Sequence, residues 1–308
     1  MPSAKILSEK QAYVADLKAK FESAVSGCVV AYGGINVEND TKLRKELREA
    51  GVDYMVVKNT MLRLAVKGTS LEVKGLEHDK YFRDINFHAR YGEIVGFAGL
   101  VGARRTELMK TIFGAYQKAG GDIYLDGKKL EIKRPQDAID NGIVYVSEDR
   151  RDEGLILKND VKFNMGLVCL GDFIRGVGVK HGAWDKMVED YRKKFSIKIT
   201  SSRQLTGNLS GGNQQKVVLS KWLAKKPKVI ILDEPTRGID VGSKAEIYAI
   251  IDELAAEGVS IIMVSSELPE IINMCNRCYV MCEGRITGEL AEEEFSQESM
   301  MTFATSRE

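Results

Sequence analysis

The residues best suited to chemistry lie in two neighbouring stretches. Leu209-Ser-Gly-Gly-Asn-Gln-Gln-Lys216 is followed, after a gap of helix length, by the apolar run Val229-Ile-Ile-Leu232 and then Asp233-Glu-Pro-Thr236. A buried strand ending in Asp-Glu puts one carboxylate, Asp233, where Mg2+ can be held, and the next, Glu234, where an attacking water can be oriented. Ser210, Gly211 and Gly212 at the start of a helix offer a phosphate unobstructed backbone N–H groups and the positive end of the helix dipole. Either stretch alone is a weak signal; their order and spacing together specify phosphate and metal chemistry.

Upstream, the strand-like Glu93-Ile-Val-Gly-Phe-Ala98 runs into Gly99-Leu-Val-Gly-Ala-Arg-Arg-Thr-Glu-Leu-Met109, where a phosphate-cradling loop should open a helix. The loop is altered. The pattern G-x-x-x-x-G-K-[ST] asks for Gly and Lys where this chain has Arg104 and Arg105, while Gly99, Gly102 and Thr106 are in place. Thr106 can still offer its hydroxyl to Mg2+. Arg105 keeps the charge, but a planar guanidinium is no neutral replacement for a compact ammonium. If position 104 requires positive φ, a side chain there costs roughly 1–2 kcal/mol.

From about Glu72 to Glu308 these motifs resemble the second nucleotide-binding half of the tandem ATP-binding cassette (ABC) proteins that drive bacterial ribose, galactose and xylose importers. The residues that carry the resemblance include Gly99-Leu-x-Gly-Ala, Arg105-Thr-Glu-Leu-Met109, Pro135-Gln-Asp-Ala138, Asn141-Gly-Ile-Val-Tyr145, Ser147-Glu-Asp-Arg150, Leu209 to Val217, Asp233-Glu-Pro-Thr-Arg-Gly238 and Asp240-Val-Gly242. It implies an α/β fold: an ABC-type P-loop NTPase domain with a mixed core sheet, a helical subdomain around Asn159–Lys198, and a small α/β appendage in front. It also implies ATP and Mg2+ as cofactors. The family's second half already carries Arg at position 105, whereas Arg104 departs from its pattern. Ordinary cassettes carry Gln where this chain has Glu148, and His where it has Ser266, so Glu234, Glu148 and Ser266 form the expected catalytic set of a degenerate site.

Cassettes work as head-to-tail pairs, with nucleotide held between one phosphate loop and the Ser-Gly-Gly helix of the other. The resemblance therefore casts this chain as donor of Ser210, Gly211, Gly212 and Gln214 to a partner cassette, with Asp240 at the same interface. It implies a membrane permease as second partner and a cytoplasmic, peripheral position on the inner face of the membrane.

The first seventy residues differ in kind. Gly27-Cys-Val-Val-Ala-Tyr32 reads as a strand, Asp40 to Ala50 as a surface helix capped by Asp40 and closed by Gly51, and Asp53-Tyr-Met-Val-Val57 as a second strand. Leu43-Arg-Lys-x-Leu-Arg48 and Tyr54-x-Val-Val-Lys-Asn-Thr60 resemble the amino-terminal, rRNA-binding part of the bacterial ribosomal stalk-base protein family. That implies Arg48, Lys58 and Asn59 as RNA contacts, although Ala31-Tyr-Gly-Gly34 lacks an Arg the family carries and only the front of that domain is present. The boundary is expected near 70/71, with no Pro- or Ser-rich spacer, as in a fusion or chimera. A stalk-base remnant carrying the cassette as passenger is the competing function, and a chimera doing neither is the third.

Composition adds little. The 308 residues carry a net charge of +1. Residues 1–70 hold 11 basic against 8 acidic side chains, a balance of +3 that leaves −2 for the rest. Such a bias permits an RNA role without arguing for it. No apolar run nears the ~18 residues of a span and no charged-then-apolar leader is present, so neither a span nor a signal peptide is expected. Cys275, Cys278 and Cys282 sit in and beside a strand entering a turn and read as apolar fillers rather than metal ligands; five thiols fit a reducing compartment.

Overall fold

A computed structural model describes residues 13, 16, 17, 20, 37–57, 69–175 and 178–306. The chain divides into two compact units, Met1–Gly68 and Thr69–Glu308.

In the first unit the described helix is α1 (Val37–Glu49), closed by Gly51 at φ +72°. It begins before Asp40, which lies inside the helix and pairs with Arg44 at 2.8 Å instead of capping it. The expected strand at Asp53–Val57 is not formed; residues 52–57 carry no strand pairing. Tyr54 instead lies under the Arg44 guanidinium, 5.0 Å from ring centre to charge. The expected strand Gly27–Tyr32, and Lys58 and Asn59, lie outside the described residues. Arg48 is exposed.

The described part of the second unit opens in a strand. Its elements are β1 (Thr69–His78), β2 (Phe82–Arg90), β3 (Ile94–Gly99), α2 (Arg105–Ile112), β4 (Gly120–Leu125), β5 (Lys128–Leu130), α3 (Pro135–Asp140) and β6 (Ile143–Val146). A helical subdomain follows, with α4 (Val161–Gly166), α5 (Leu170–Phe173), the two-strand β7 (Ile174–Arg175) and β8 (Gly178–Val179), and α6 (His181–Lys194). The chain then returns through α7 (Gly211–Leu223), β9 (Val229–Asp233), α8 (Val241–Ala256), β10 (Ser260–Val264), α9 (Leu268–Met274), β11 (Arg277–Cys282), β12 (Arg285–Ala291) and α10 (Gln297–Ala304).

Two sheets result. Strands β2-β1-β4-β5 form an antiparallel sheet, and β12-β11-β3-β10-β9-β6 a six-stranded one that is parallel except at the β11–β12 edge. The expected mixed core sheet is this second one. Strands β9 and β10 are buried along their whole length because both faces are covered, so they read as unbroken apolar runs. Alternation sorts their residues. Val229, Ile231, Ile262 and Val264 face one core, shared with the antiparallel sheet and α2; Ile230, Leu232, Ile261 and Met263 face the other, shared with α7, α8 and the helical subdomain.

Candidate functional site

Parallel pairing brings the chemistry-bearing residues to one edge. In the register of β3, β10 and β9, Phe97, Val264 and Asp233 lie on one rung, and Val146 of β6 pairs with Leu232. The next residues, Gly99, Ser265-Ser266, Glu234 and Ser147-Glu148, therefore emerge together at the carboxyl ends of the strands, the usual place for a ligand crevice in such sheets.

Gly99 ends β3 at φ +150°, and a Cβ there would sit 2.4 Å from the Met281 carbonyl oxygen, so the strand can pass only as glycine. Gly102 turns the loop at φ +89° with no neighbour within 4 Å of a virtual Cβ among the described residues. Arg104 takes the last turn before α2 at φ +75°, the left-handed region that glycine would occupy without cost. Its guanidinium folds back to pair with Glu107 at 2.9 Å and lies 5.5 Å from the centre of the Tyr81 ring. A cavity of about 360 Å³ opens here, lined by Gly102, Arg104, Arg105, Thr106, Tyr116 and Glu148 among others.

Arg105 keeps the charge of the loop lysine but not its geometry, as a planar guanidinium implies. Only 8% exposed, it runs under the loop, donating from Nη1 to the Ser265 carbonyl at 2.5 Å, with Nη2 3.9 Å from Glu234 Oε1. Burial lowers its pKa, against the attraction of Glu234 and Asp233.

Asp233 is fully buried; its Oδ2 accepts from the Tyr145 hydroxyl at 2.7 Å, and Oδ1 has no hydrogen-bond partner among the described residues. Burial pushes its carboxyl up, against the Tyr145 and Thr106 hydroxyls and the charges of Arg105 and Lys110. An orphaned carboxylate oxygen beside a threonine hydroxyl fits a hard cation with oxygen ligands. Glu234 stands at φ +48°, a left-handed conformation that costs a non-glycine residue about 1 kcal/mol. Its N–H donates to the Val264 carbonyl at 2.9 Å, and its Oε2 accepts from Ser266 Oγ at 3.1 Å. Burial raises this carboxyl, with Arg105 and Ser266 opposing. Glu148 lines the cavity but its carboxylate is taken by Arg237.

The Ser-Gly-Gly helix meets the expectation unevenly. Ser210 is the exposed cap of α7, with Oγ accepting from the Asn213 side chain at 2.9 Å, and Gly211 is half-buried. Gly212 is buried for a packing reason: a Cβ there would lie 2.4 Å from Ser243 Oγ, so glycine lets α7 cross α8. Gln214 is corrected outright. It is 2% exposed and points inward, donating to the Thr206 carbonyl at 3.2 Å. Asp240 is exposed and caps α8, accepting from the Ser243 N–H at 2.9 Å.

Several contributing residues were not among the expected site residues. Arg150 donates to the carbonyls of Arg237 and Gly238 at 2.6 and 3.1 Å, tying the segment after β6 to the turn before α8. Tyr81 and Tyr116 pack beside the loop with ring centres 5.8 Å apart and planes tilted by 31°. Tyr145 could have been read from its place two residues before Ser147; Arg150 and Arg237 lie in quoted motifs, but their partners are set only by the fold.

Comparison with known proteins decides the family. Residues 82–237 match the ABC transporter family model. The chain belongs to the ABC transporter family. Similar to this ABC chain are the ribose import ATP-binding protein RbsA of Clostridium tetani, 47% identical over 235 residues that cover 76% of this chain and 46% of that protein, and the xylose import ATP-binding protein XylG of Geobacillus kaustophilus, 50% identical over 223 residues covering 72% and 44%. The chain spans about half the length of the curated relatives it matches. Among solved structures, cbiO1 of Clostridium perfringens superposes with a TM-score of 0.64 at 23% identity, covering 76% of this chain and 93% of that one, which shows the ABC fold. Residues 5–88 match the ribosomal protein L10 model, a stretch that runs on into β1 and β2 of the second unit. Among the described residues no helix is long and apolar enough to cross a membrane.

Proposed function

We propose that this chain is the ATP-binding half of a carbohydrate importer motor, and that it serves chiefly to complete a partner cassette's site while its own site turns over slowly. The observation that carries the reading is the contrast between two ends of one edge. Arg105, Glu234 and Ser266 are committed to one another and Glu148 to Arg237, whereas the cap of α7 at Ser210 is exposed and ordered by Asn213. The relatives, named for ribose and xylose import, support a carbohydrate as the substrate class, and the reading takes a membrane permease as the partner.

At this chain's own site Asp233 and the Thr106 hydroxyl would hold Mg2+, which supplies positive charge to phosphoryl oxygens. The backbone of the loop at Gly102 and the amino end of α2 would receive phosphate, and Tyr81 and Tyr116 offer an aromatic wall for a base. Glu234 would orient water, with Arg105 and Ser266 fixing where its carboxylate stands. Arg104 occupies the face of Tyr81 and the turn where glycine would leave room. Residues 1–68 are read as a stalk-base-like fragment in front of the cassette, with Arg48 exposed on α1 as its one described RNA contact.

The test is ATP turnover by the full chain alone and mixed with a first-half cassette bearing an intact Gly-Lys-Ser/Thr loop. Slow turnover alone and strong stimulation in the mixture are expected, with Ser210→Ala and Gly211→Asp losing most of the stimulation, since single preorganised phosphate contacts are commonly worth ~10²–10³ in rate. Rapid turnover by the chain alone through Glu234, or undiminished stimulation by both variants, would refute the reading.

A further inference from the structure

Away from every motif quoted above, the second unit buries a carboxylate that nothing so far uses. Glu270 lies in α9 and is 5% exposed. Its Oε1 accepts from the Thr236 hydroxyl and from Tyr248 Oη at 2.6 Å; its Oε2 accepts from Ser265 Oγ at 2.5 Å. Lys244 Nζ stands 3.9 Å from Oε1 and is itself held by Glu267 at 2.7 Å. A buried carboxylate needs such donors to offset its lost hydration, so the three hydroxyls and Glu270 hold one another in place.

What they hold is the pair of chain segments on either side of Glu234. Thr236 lies two residues beyond it, at the entry to the turn that leads to Asp240. Ser265 lies at the end of β10, where its carbonyl receives Arg105 Nη1 at 2.5 Å, and the next residue, Ser266, donates to Glu234 Oε2 at 3.1 Å. The Glu234 N–H in turn donates to the carbonyl of Val264, the residue before Ser265, at 2.9 Å. Glu234 is a non-glycine residue at φ +48°, and a residue in that region persists only where its surroundings over-determine it. The Glu234 carbonyl accepts from the Arg237 N–H within the turn at 3.1 Å, whereas its N–H and its carboxylate are met by residues 264–266 and by Arg105, and Glu270 fastens residue 265 to the segment carrying Glu234.

We propose that Glu270 is a positioning residue for Glu234: its carboxylate clips the turn after β9 to the end of β10, and so sets the orientation of the water-orienting carboxylate without touching nucleotide. The assignment rests on the function proposed above for Glu234. A Gln at 270 would keep the clip, because its amide oxygen accepts from Thr236 and Tyr248 while its N–H₂ group can donate to Ser265. An Ala would release it.

The test compares the full chain with Glu270→Gln, Glu270→Ala and Ser265→Ala, the last removing one strut should the alanine at 270 prevent folding. Hydrogen exchange is read peptide by peptide, together with residual hydrolysis of γ-labelled ATP against Glu234→Gln as the floor, and Mg-ATP affinity by calorimetry. In Glu270→Ala, exchange should quicken in peptides spanning 232–240 and 263–268 while those from α7 stay as in the parent. Turnover should fall about tenfold or more, as misplaced catalytic groups commonly cause, with affinity little changed; Glu270→Gln should resemble the parent in all three, and Ser265→Ala should fall between. Parent-like exchange in both peptide sets, parent-like turnover in Glu270→Ala, or equal damage from Gln and Ala would overturn the proposal. If the parent itself hydrolyses no faster than Glu234→Gln, the catalytic reading of Glu234 fails, and the exchange pattern by itself decides whether Glu270 is the clip.

Discussion

Arg104 shows how a single side chain can oppose the loop that carries it. Its left-handed backbone costs about 1 kcal/mol that glycine would not incur. Against that stand an exposed ion pair with Glu107, worth ~0–1 kcal/mol, and the contact with Tyr81, worth roughly 0.5–1 kcal/mol at an exposed site. These nearly cancel, so Arg104→Gly should leave thermal stability almost unchanged. Nucleotide binding should not cancel in the same way, because the substitution clears both the turn and the face of Tyr81 while Thr106 and Asp233 remain. Mg-ATP affinity at this chain's own site is expected to rise by roughly tenfold, the ratio that corresponds to about 1.4 kcal/mol. Calorimetry on parent and variant checks it; equal affinities would mean that the guanidinium already lies clear of the nucleotide or pairs with its phosphate.

Between elements, the decisive contact is the crossing of α7 over α8 at Gly212 and Ser243. A methyl group at 212 would have to fit 2.4 Å from Ser243 Oγ and 2.5 Å from its Cβ. Gly212→Ala should therefore destabilise the unit by about 1–3 kcal/mol, the usual cost of overpacking. Ser243→Gly should recover much of it, and a urea-unfolding double-mutant cycle should give a coupling of at least about 1 kcal/mol. Additive effects would show that the helices part without cost. This crossing also marks what could be read from the sequence. The strands β9, β10 and β3 and the helices after them were legible because their apolar runs and glycine punctuation are local. Asp233 and Glu234 reach the carboxyl edge because parallel register sets the end of β9 beside those of β3 and β10, and Thr106, in α2, lines the cavity there. Gly212 and Gln214 could not be assigned that way, since their neighbours Ser243 and Thr206 are chosen by helix crossings and loop packing. At Asp53–Val57 the expected strand is not formed among the described residues, and Tyr54 lies under the Arg44 guanidinium of α1.

The units divide at Gly68–Thr69, two residues before the boundary expected near 70/71, while the L10 match runs on to residue 88 and the ABC match begins at 82. A stronger consequence comes from the cores. Among the described residues, both large apolar clusters draw their buried members from residues 71–304, including the strands that carry Asp233, Glu234 and the phosphate loop. A unit of that size with its own cores on both faces of its sheet has what it needs to fold alone. A chain beginning at Thr69 is therefore expected to unfold cooperatively within about 2–4 °C of the full protein, the shift that about 1 kcal/mol produces in a unit of this size. It should also bind Mg-ATP within about twofold of the full chain, a difference of about 0.4 kcal/mol. Differential scanning calorimetry and titration of the two proteins provide the measurement. Loss of the cooperative transition on removing residues 1–68 would mean that the front unit supports the cassette instead of accompanying it; preserved stability with lost nucleotide affinity would give the front unit a part in the site itself.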